Sequence, residues 1–418
     1  MGKSVNAPDI IIYSFSYGNC QNIPQPRYGQ ASVLVNDIFY FFGGANSTNA
    51  FNATNVFNDV WYLKLSNSFN ATAPQWYLLS SMPVACYWGS ACYSGTSKLI
   101  YLIGGRMFNP NTNTSNFDIS VYQFAPNTST WTQLIPTRFN NSFKSRNEMQ
   151  AIATNIYPTI YIFGGPNGDN SNKTYYNDMN RLGYTGTGMK WKTDLSHYSY
   201  PFMDYAAVFL PNYGIIIYIG GREFDGAKLN LIEMSKIQIY DANLEMWRNN
   251  RSATGEYITP RVGHSAVLAP NGDIIVFGGS KDNNGTFGIN LSPLIAVLNT
   301  KTWTWSSINA TNTPRLTYHS AAIYGNFMIV AFGNYKVLFN FNNSHAINLT
   351  KLLRQGNRQK FNTKIYIFDT QNYKWVTSLN QESNQLNQDN SNEKLLKIEI
   401  GVGVGGGNGL GKPIFDTF

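Results

Sequence analysis

Residues 261–279 read Arg261-Val-Gly-His-Ser-Ala-Val-Leu-Ala-Pro-Asn-Gly-Asp-Ile-Ile-Val-Phe-Gly-Gly279. The stretch is a strand, a turn, and a short β-branched and aromatic run that stops at two glycines. The same ending recurs at Gly43-Gly44, Gly104-Gly105, Gly164-Gly165 and Gly220-Gly221, with a degenerate sixth at Gly333-Asn334. Successive pairs lie 61, 60, 56, 58 and 55 residues apart. Each run before a pair, such as Ile38-Phe-Tyr-Phe-Phe42 or Ile215-Ile-Ile-Tyr-Ile219, has the length and composition of a strand buried on both faces.

The pattern extends on both sides. A tryptophan follows each pair: Trp131, Trp191 and Trp247 at an offset of 27 residues, and Trp76, Trp303 and Trp375 at 33, 25 and 42. Between pair and tryptophan lies another strand, as in Asp59-Val-Trp-Tyr-Leu63, and a further strand precedes each apolar run. Four strands per unit and six units predict an all-β fold, a six-bladed β-propeller. One such sheet cannot bury both faces alone, but stacked neighbours can. The blades are predicted at about 24–80, 81–137, 138–197, 198–252, 253–309 and 310–379, as one ring with no hinge between halves. The glycine pairs relieve crowding and allow positive φ, and the tryptophans fill space between blades.

These motifs resemble the kelch repeat over about Pro24 to Leu379. Finer wording in Arg146-Asn-Glu-Met-Gln-Ala151, Ile219-Gly-Gly-Arg-Glu223 and Asn326-Phe-Met-Ile-Val-Ala-Phe-Gly-Asn334 resembles the fungal kelch group named after the central domain of galactose oxidase. That resemblance raises copper radical chemistry, which implies two His, Tyr and a Cys–Tyr link. The chain has four histidines. His264 and His319 stand in the repeat motif and read as inner-strand residues. His345 falls in the long 334–360 insertion, and His197 in a connection. The expectation is no catalytic residue, no metal and no cofactor. No Gly-x-Ser-x-Gly, His-Glu-x-x-His or phosphate loop is present. Acidic residues such as Asp59 and Asp118 read as turn or strand starts.

Composition narrows the partners. The chain has 418 residues and a formal charge of +8, yet its 31 Lys and Arg are scattered, with no run of four. Nucleic acid is therefore not expected. Of three cysteines, Cys86 and Cys92 are placed on one strand about 20 Å apart, beyond disulfide reach. No apolar run is long enough to span a bilayer. Ile10–Phe15 reads as a closure strand within an N-terminal segment 1–23, and 380–418 as a linker with a Gly-rich tail. As written the chain reads as soluble and monomeric, without a secretion signal. Thirteen Asn-x-Ser/Thr sequons, mostly in predicted loops, pull the other way.

The kelch resemblance implies a protein-interaction scaffold working through rim loops. The alternatives are a galactose-oxidase-like copper radical oxidase or a glycan-binding surface protein. Strand order puts the segment after each glycine pair and the segment before each inner strand on one rim. That rim would collect Arg27, Arg146, Arg261 and Arg315, which read mainly as braces, and Arg106 and Arg222, the stronger binding candidates. Planar guanidinium forks suit carboxylates, so the expected partner is a protein with an acidic segment.

Overall fold

The computed structural model describes residues 23–47, 53–116, 121–134, 145–154, 159–167, 173–185, 188–194, 200–282, 291–336 and 359–379. The predicted closure strand Ile10–Phe15, most of the 334–360 insertion, the 380–418 tail, Cys20, Asp118, His197 and His345 lie outside these residues. Among the described residues there is no α-helix, hence none long and apolar enough to cross a membrane.

The strands form six sheets in chain order, each with four antiparallel strands, and two carry a short fifth strand: Arg251–Ser252 on sheet 4 and Thr254–Gly255, which runs parallel, on sheet 5. Sheet 1 comprises Ala31–Val35, Ile38–Phe42, Val60–Lys64 and Trp76–Leu78. The first strands of sheets 2 to 6 are Ser90–Ser94, Ala151–Thr154, Ala206–Leu210, Val262–Leu268 and Ser320–Tyr324. Each first strand abuts the next, and Ser320–Tyr324 abuts Ala31–Val35. The sheets therefore close into a ring whose axis is lined by first strands, which is a β-propeller. Second strands lie between neighbouring sheets, which explains their unbroken apolar runs; Ile215–Ile219 is buried throughout. The core is divided among the joints. Phe39 and Phe41 of sheet 1, for example, pack with Ile329, Ala331 and Phe332 of sheet 6. Burying each such side chain is worth about 1.5–3 kcal/mol.

The glycine pairs make the joints. At every one, the second glycine donates its N–H to a carbonyl just before the next sheet's first strand: Gly44 to Cys86 (2.8 Å), Gly105 to Arg146 (2.8 Å), Gly165 to Phe202 (2.7 Å), Gly221 to Arg261 (2.9 Å), Gly279 to Leu316 (2.9 Å) and Gly333 to Arg27 (3.0 Å). The neighbour comes so close that a Cβ on Gly43, at φ 59, would stand 2.2 Å from the Cys86 oxygen.

This bond pattern corrects three registers. The sixth pair is Phe332-Gly333, both at positive φ, rather than Gly333-Asn334. The residue equivalent to Arg27, Arg146 and Arg261 in sheet 6 is Leu316, so Arg315 falls one place outside the repeat and is exposed. In sheet 5 the outer-strand tryptophan is Trp305, paired with Leu298, while Trp303 lies in the preceding turn. Cys86 and Cys92 also belong to different strands, Ala85–Tyr87 and Ser90–Ser94, separated by the left-handed Trp88. Both are buried free thiols, pushed up to about 12 by burial.

Candidate functional site at the mouth of the ring

Near the start of each first strand the chain passes through one residue at positive φ: Gly29 (62°), Trp88 (55°), Glu148 (53°), Asp204 (53°), Gly263 (63°) and Tyr318 (51°). Backbone bonds join these residues around the axis. Trp88 N–H donates to Gly29 O (2.7 Å), Glu148 to Trp88 (3.3 Å), Asp204 to Glu148 (2.9 Å), Tyr318 to Gly263 (2.8 Å) and Gly29 to Tyr318 (3.3 Å). Glycine suits both the conformation and the space. A Cβ on Gly29 would lie 2.9 Å from Trp88 Cδ1, and one on Gly263 would lie 3.1 Å from the Tyr318 ring. The other four positions hold side chains in a conformation that costs on the order of 1–3 kcal/mol each.

Those four side chains divide the mouth. On one side, Arg222 donates to Glu148 Oε2 (3.0 Å) and, through a very short contact, to Asp204 Oδ2. Lys173 Nζ lies 3.5 Å from Glu148 Oε1. The Glu148 and Asp204 side chains are only 3% and 5% exposed. Burial pushes the Asp204 carboxyl up to about 6; Arg222 opposes the shift and Glu148 adds to it. On the other side, the rings of Tyr28, Trp88 and Tyr318 lie 6.3–6.4 Å apart, with Phe361 stacked on Tyr28 at 5.4 Å. Burial pushes the Tyr28 hydroxyl up to about 12.

Between the halves lies a cavity of about 140 Å³ lined by Gln30, Trp88, Glu148, Asp204, His264 and Tyr318, among others. Gln30 gives its amide N–H to Ser320 Oγ (2.7 Å), while its buried Oε1 has no partner among the described residues. His264 Nε2 is 3.1 Å from Ile219 O, so Nε2 carries the proton and the buried Nδ1 lone pair is unpartnered. His319 Nε2 meets Ser265 Oγ at 2.8 Å. Burial holds both imidazoles neutral, pushed down to about 3. Among the described residues no three His, Cys, Asp or Glu side chains are placed to hold a metal ion.

The six arginines do not form one set. Arg27 donates to Gly43 O (2.9 Å) and to both oxygens of Asp59 (2.5 and 2.8 Å). Arg146 repeats this with Gly164 O (3.0 Å) and Asp178 (2.6 Å). Among the described residues Arg261 finds only carbonyls, those of Gly278 (3.1 Å), Pro293 (2.8 Å) and Thr259 (3.0 Å), and burial pushes it down to about 10. All three are almost fully buried. Arg106 and Arg222 lie in short strands, Arg106–Phe108 and Arg222–Phe224, that pair with the segments before the first strands, Arg106 opposite Tyr87 and Arg222 opposite Met203. The two rim segments thus do run side by side, but both arginines are buried, and Arg106 lies 5.8 Å from the Trp88 ring.

The tryptophans Trp76, Trp131, Trp191, Trp247 and Trp375 share one register on the outer strands, opposite Leu63, Phe124, Leu182, Tyr240 and Phe368. Sequence reasoning missed Trp88, Glu148, Asp204 and Tyr318 as a group. Their signal was the slot after the arginine, Gly29 or Gly263 in two repeats, which four repeats fill with bulky or acidic residues. It also missed Asp59, which is the counter-ion of Arg27 and not merely a strand start.

A ring of antiparallel sheets joined by glycine seams, with Arg-x-Gly starts to its first strands, defines a kelch-like β-propeller. The model of the Attractin/LZTR1 beta-propeller matches residues 100–395, and the chain belongs to that family. It is also similar to "Acyl-CoA-binding domain-containing protein 4" of Arabidopsis thaliana, at 24% identity over 340 residues, which is 78% of this chain and 45% of that protein. The chain spans less than half the length of that relative.

Proposed function

We propose that this propeller is a non-catalytic scaffold that holds a partner protein at the mouth of the ring. The observation that carries the reading is the set of four left-handed side chains there, Trp88, Glu148, Asp204 and Tyr318. Glycine would serve the backbone at each position, and the side chains are held there at an energetic cost. Strain of this kind gathers at binding sites. Membership of a propeller family supports a scaffold by analogy of fold. The finer kinship with the galactose oxidase central-domain group, and a propeller unit spanning 24–379, belong to the same proposal.

An acidic partner segment would need exposed guanidinium forks. Arg27, Arg146 and Arg261 are buried braces, and Arg222 is shared between two carboxylates of its own chain. The mouth therefore offers carboxylate, carbonyl and aromatic groups more than free cations.

The test is capture of proteins by the immobilised full chain, compared with the double variant Trp88→Gly, Tyr318→Gly. Glycine already occupies this position in sheets 1 and 5, so the variant is expected to fold. A protein held by the wild type and lost by the folded variant supports docking at the mouth. Equal retention of every captured protein moves the docking surface elsewhere, and stoichiometric copper with alcohol oxidation overturns the non-catalytic reading.

A further inference from the structure

The mouth has an acceptor-rich half and an aromatic half facing one small cavity. We infer that it receives the protonated side chain of a lysine or arginine from the partner, an inference that rests on the docking reading above and specifies its chemistry. The acceptors are the buried carboxylates of Glu148 and Asp204, with Gln30 Oε1 and His264 Nδ1, both atoms unpartnered on side chains nine-tenths or more buried. The rings of Trp88 and Tyr318, 6.4 Å apart and tilted at 52°, line the same cavity, and aromatic faces attract a desolvated cation, as the Arg106 guanidinium 5.8 Å from the Trp88 centroid illustrates.

The donors nearby do not reverse this. Arg222 is directed at both carboxylates, Arg106 lies over the Trp88 ring, and Trp88 Nε1 is a neutral N–H. Lys173 already brings an ammonium to the outer side of Glu148, at 17% side-chain exposure, so this carboxylate receives a lysine in the chain's own structure. An incoming carboxylate would stand against two buried carboxylates to which Arg222 is already committed. A cavity of about 140 Å³ takes the tip of a side chain and not a folded element. The occupant is thus a single cationic residue on an exposed segment of a partner protein.

The test uses the full chain with four probes, lysine, arginine, norleucine and glutamate, each acetylated at its amine and methylamidated at its carboxyl. Binding is read from the indole N–H resonance of Trp88, assigned with Trp88→Phe, at constant ionic strength. The expected result is a saturable shift with blocked lysine and arginine and none with blocked norleucine or glutamate. Asp204→Asn should weaken lysine binding at least tenfold in a variant that still melts cooperatively, because asparagine tolerates the left-handed conformation and can still accept from Arg222. Should that variant not fold, Glu148→Gln takes its place with the same expectation. A shift with blocked glutamate, an equal shift with norleucine, or no shift with any probe overturns the cationic assignment. If the probes fail while the Trp88→Gly, Tyr318→Gly variant still loses its partner, the scaffold stands and only the cation falls.

Discussion

Sheets 1, 3 and 5 begin with a buried arginine, and sheets 2, 4 and 6 begin at the same point with Cys86, Phe202 and Leu316. Every one of these six residues accepts the same backbone bond from a glycine of the preceding sheet. In the odd sheets the guanidinium also holds the carbonyl of that sheet's own first glycine, Gly43, Gly164 or Gly278. In the even sheets a thiol or apolar side chain fills the slot. The contrast teaches that the joint is a backbone device, and that the arginine is one of several ways to pack beneath it.

The largest effect should therefore ignore the contrast. Gly43→Ala and Gly104→Ala, one in a braced sheet and one in an unbraced sheet, each put a Cβ within 2.3 Å of the next sheet's backbone oxygen at positive φ. Each should cost about 5 kcal/mol or more in chemical denaturation. A much smaller cost at Gly104 would show that the brace, not the backbone, makes the joint.

Within the odd sheets, Arg146→Leu should cost about 3–5 kcal/mol because it strands Asp178, whereas Arg261→Leu leaves only carbonyls unpaired and should cost about 1–3 kcal/mol. Equal costs would mean that the carboxylate adds nothing to the brace. Urea titrations of both variants decide it.

Much of this architecture was legible. Five glycine pairs, a degenerate sixth and the apolar runs before them located every second strand, and the offset of 27 located the outer strands of sheets 2 to 4. Register slipped where side-chain identity and backbone bonding part company. Arg315 sits beside the true position, Leu316. Phe332 holds a left-handed conformation that normally signals glycine, and Trp303 precedes the equivalent Trp305. The mouth was harder to read, because Trp88, Glu148, Asp204 and Tyr318 become neighbours only when the ring closes. They stand 60, 56 and 114 residues apart along the chain, and no local pattern carries that contact.

A third expectation contrasts the histidine-bearing sheets 5 and 6 with the rest. His264 and His319 have folded-state values near 3 against an ordinary 6.5. The unfolded chain then binds more protons below pH 6.5, so their contribution is complete above that pH and is lost as pH falls toward 3. Each histidine adds up to about 1.4 kcal/mol of lost stability per pH unit in that window. Asp204 works in the opposite sense, because its raised value lets the folded state hold a proton between about pH 4 and 6. His264→Gln should flatten the acid limb of the stability curve, and Asp204→Asn should steepen it. Thermal melts from pH 7 to pH 4 provide the measurement, and parallel curves would refute both assignments.

The smallest effect belongs to the mouth itself. Trp88→Gly gives sheet 2 the residue that sheets 1 and 5 already use. Relief of the left-handed strain offsets much of the lost packing of a half-buried ring, so stability should change by no more than about 1 kcal/mol. A large loss would make Trp88 part of the structural joint and not of the binding surface.

The bond from Gly333 to the Arg27 carbonyl has one more consequence. It is the same bond, at 3.0 Å, that fastens every other pair of neighbours. Apart from Phe332 in place of the usual first glycine, the joint that closes the ring is built like the other five. A circular permutant, with a flexible linker across the present gap and new termini opened in another inter-sheet connection, would rebuild the same six fastenings in a different chain order.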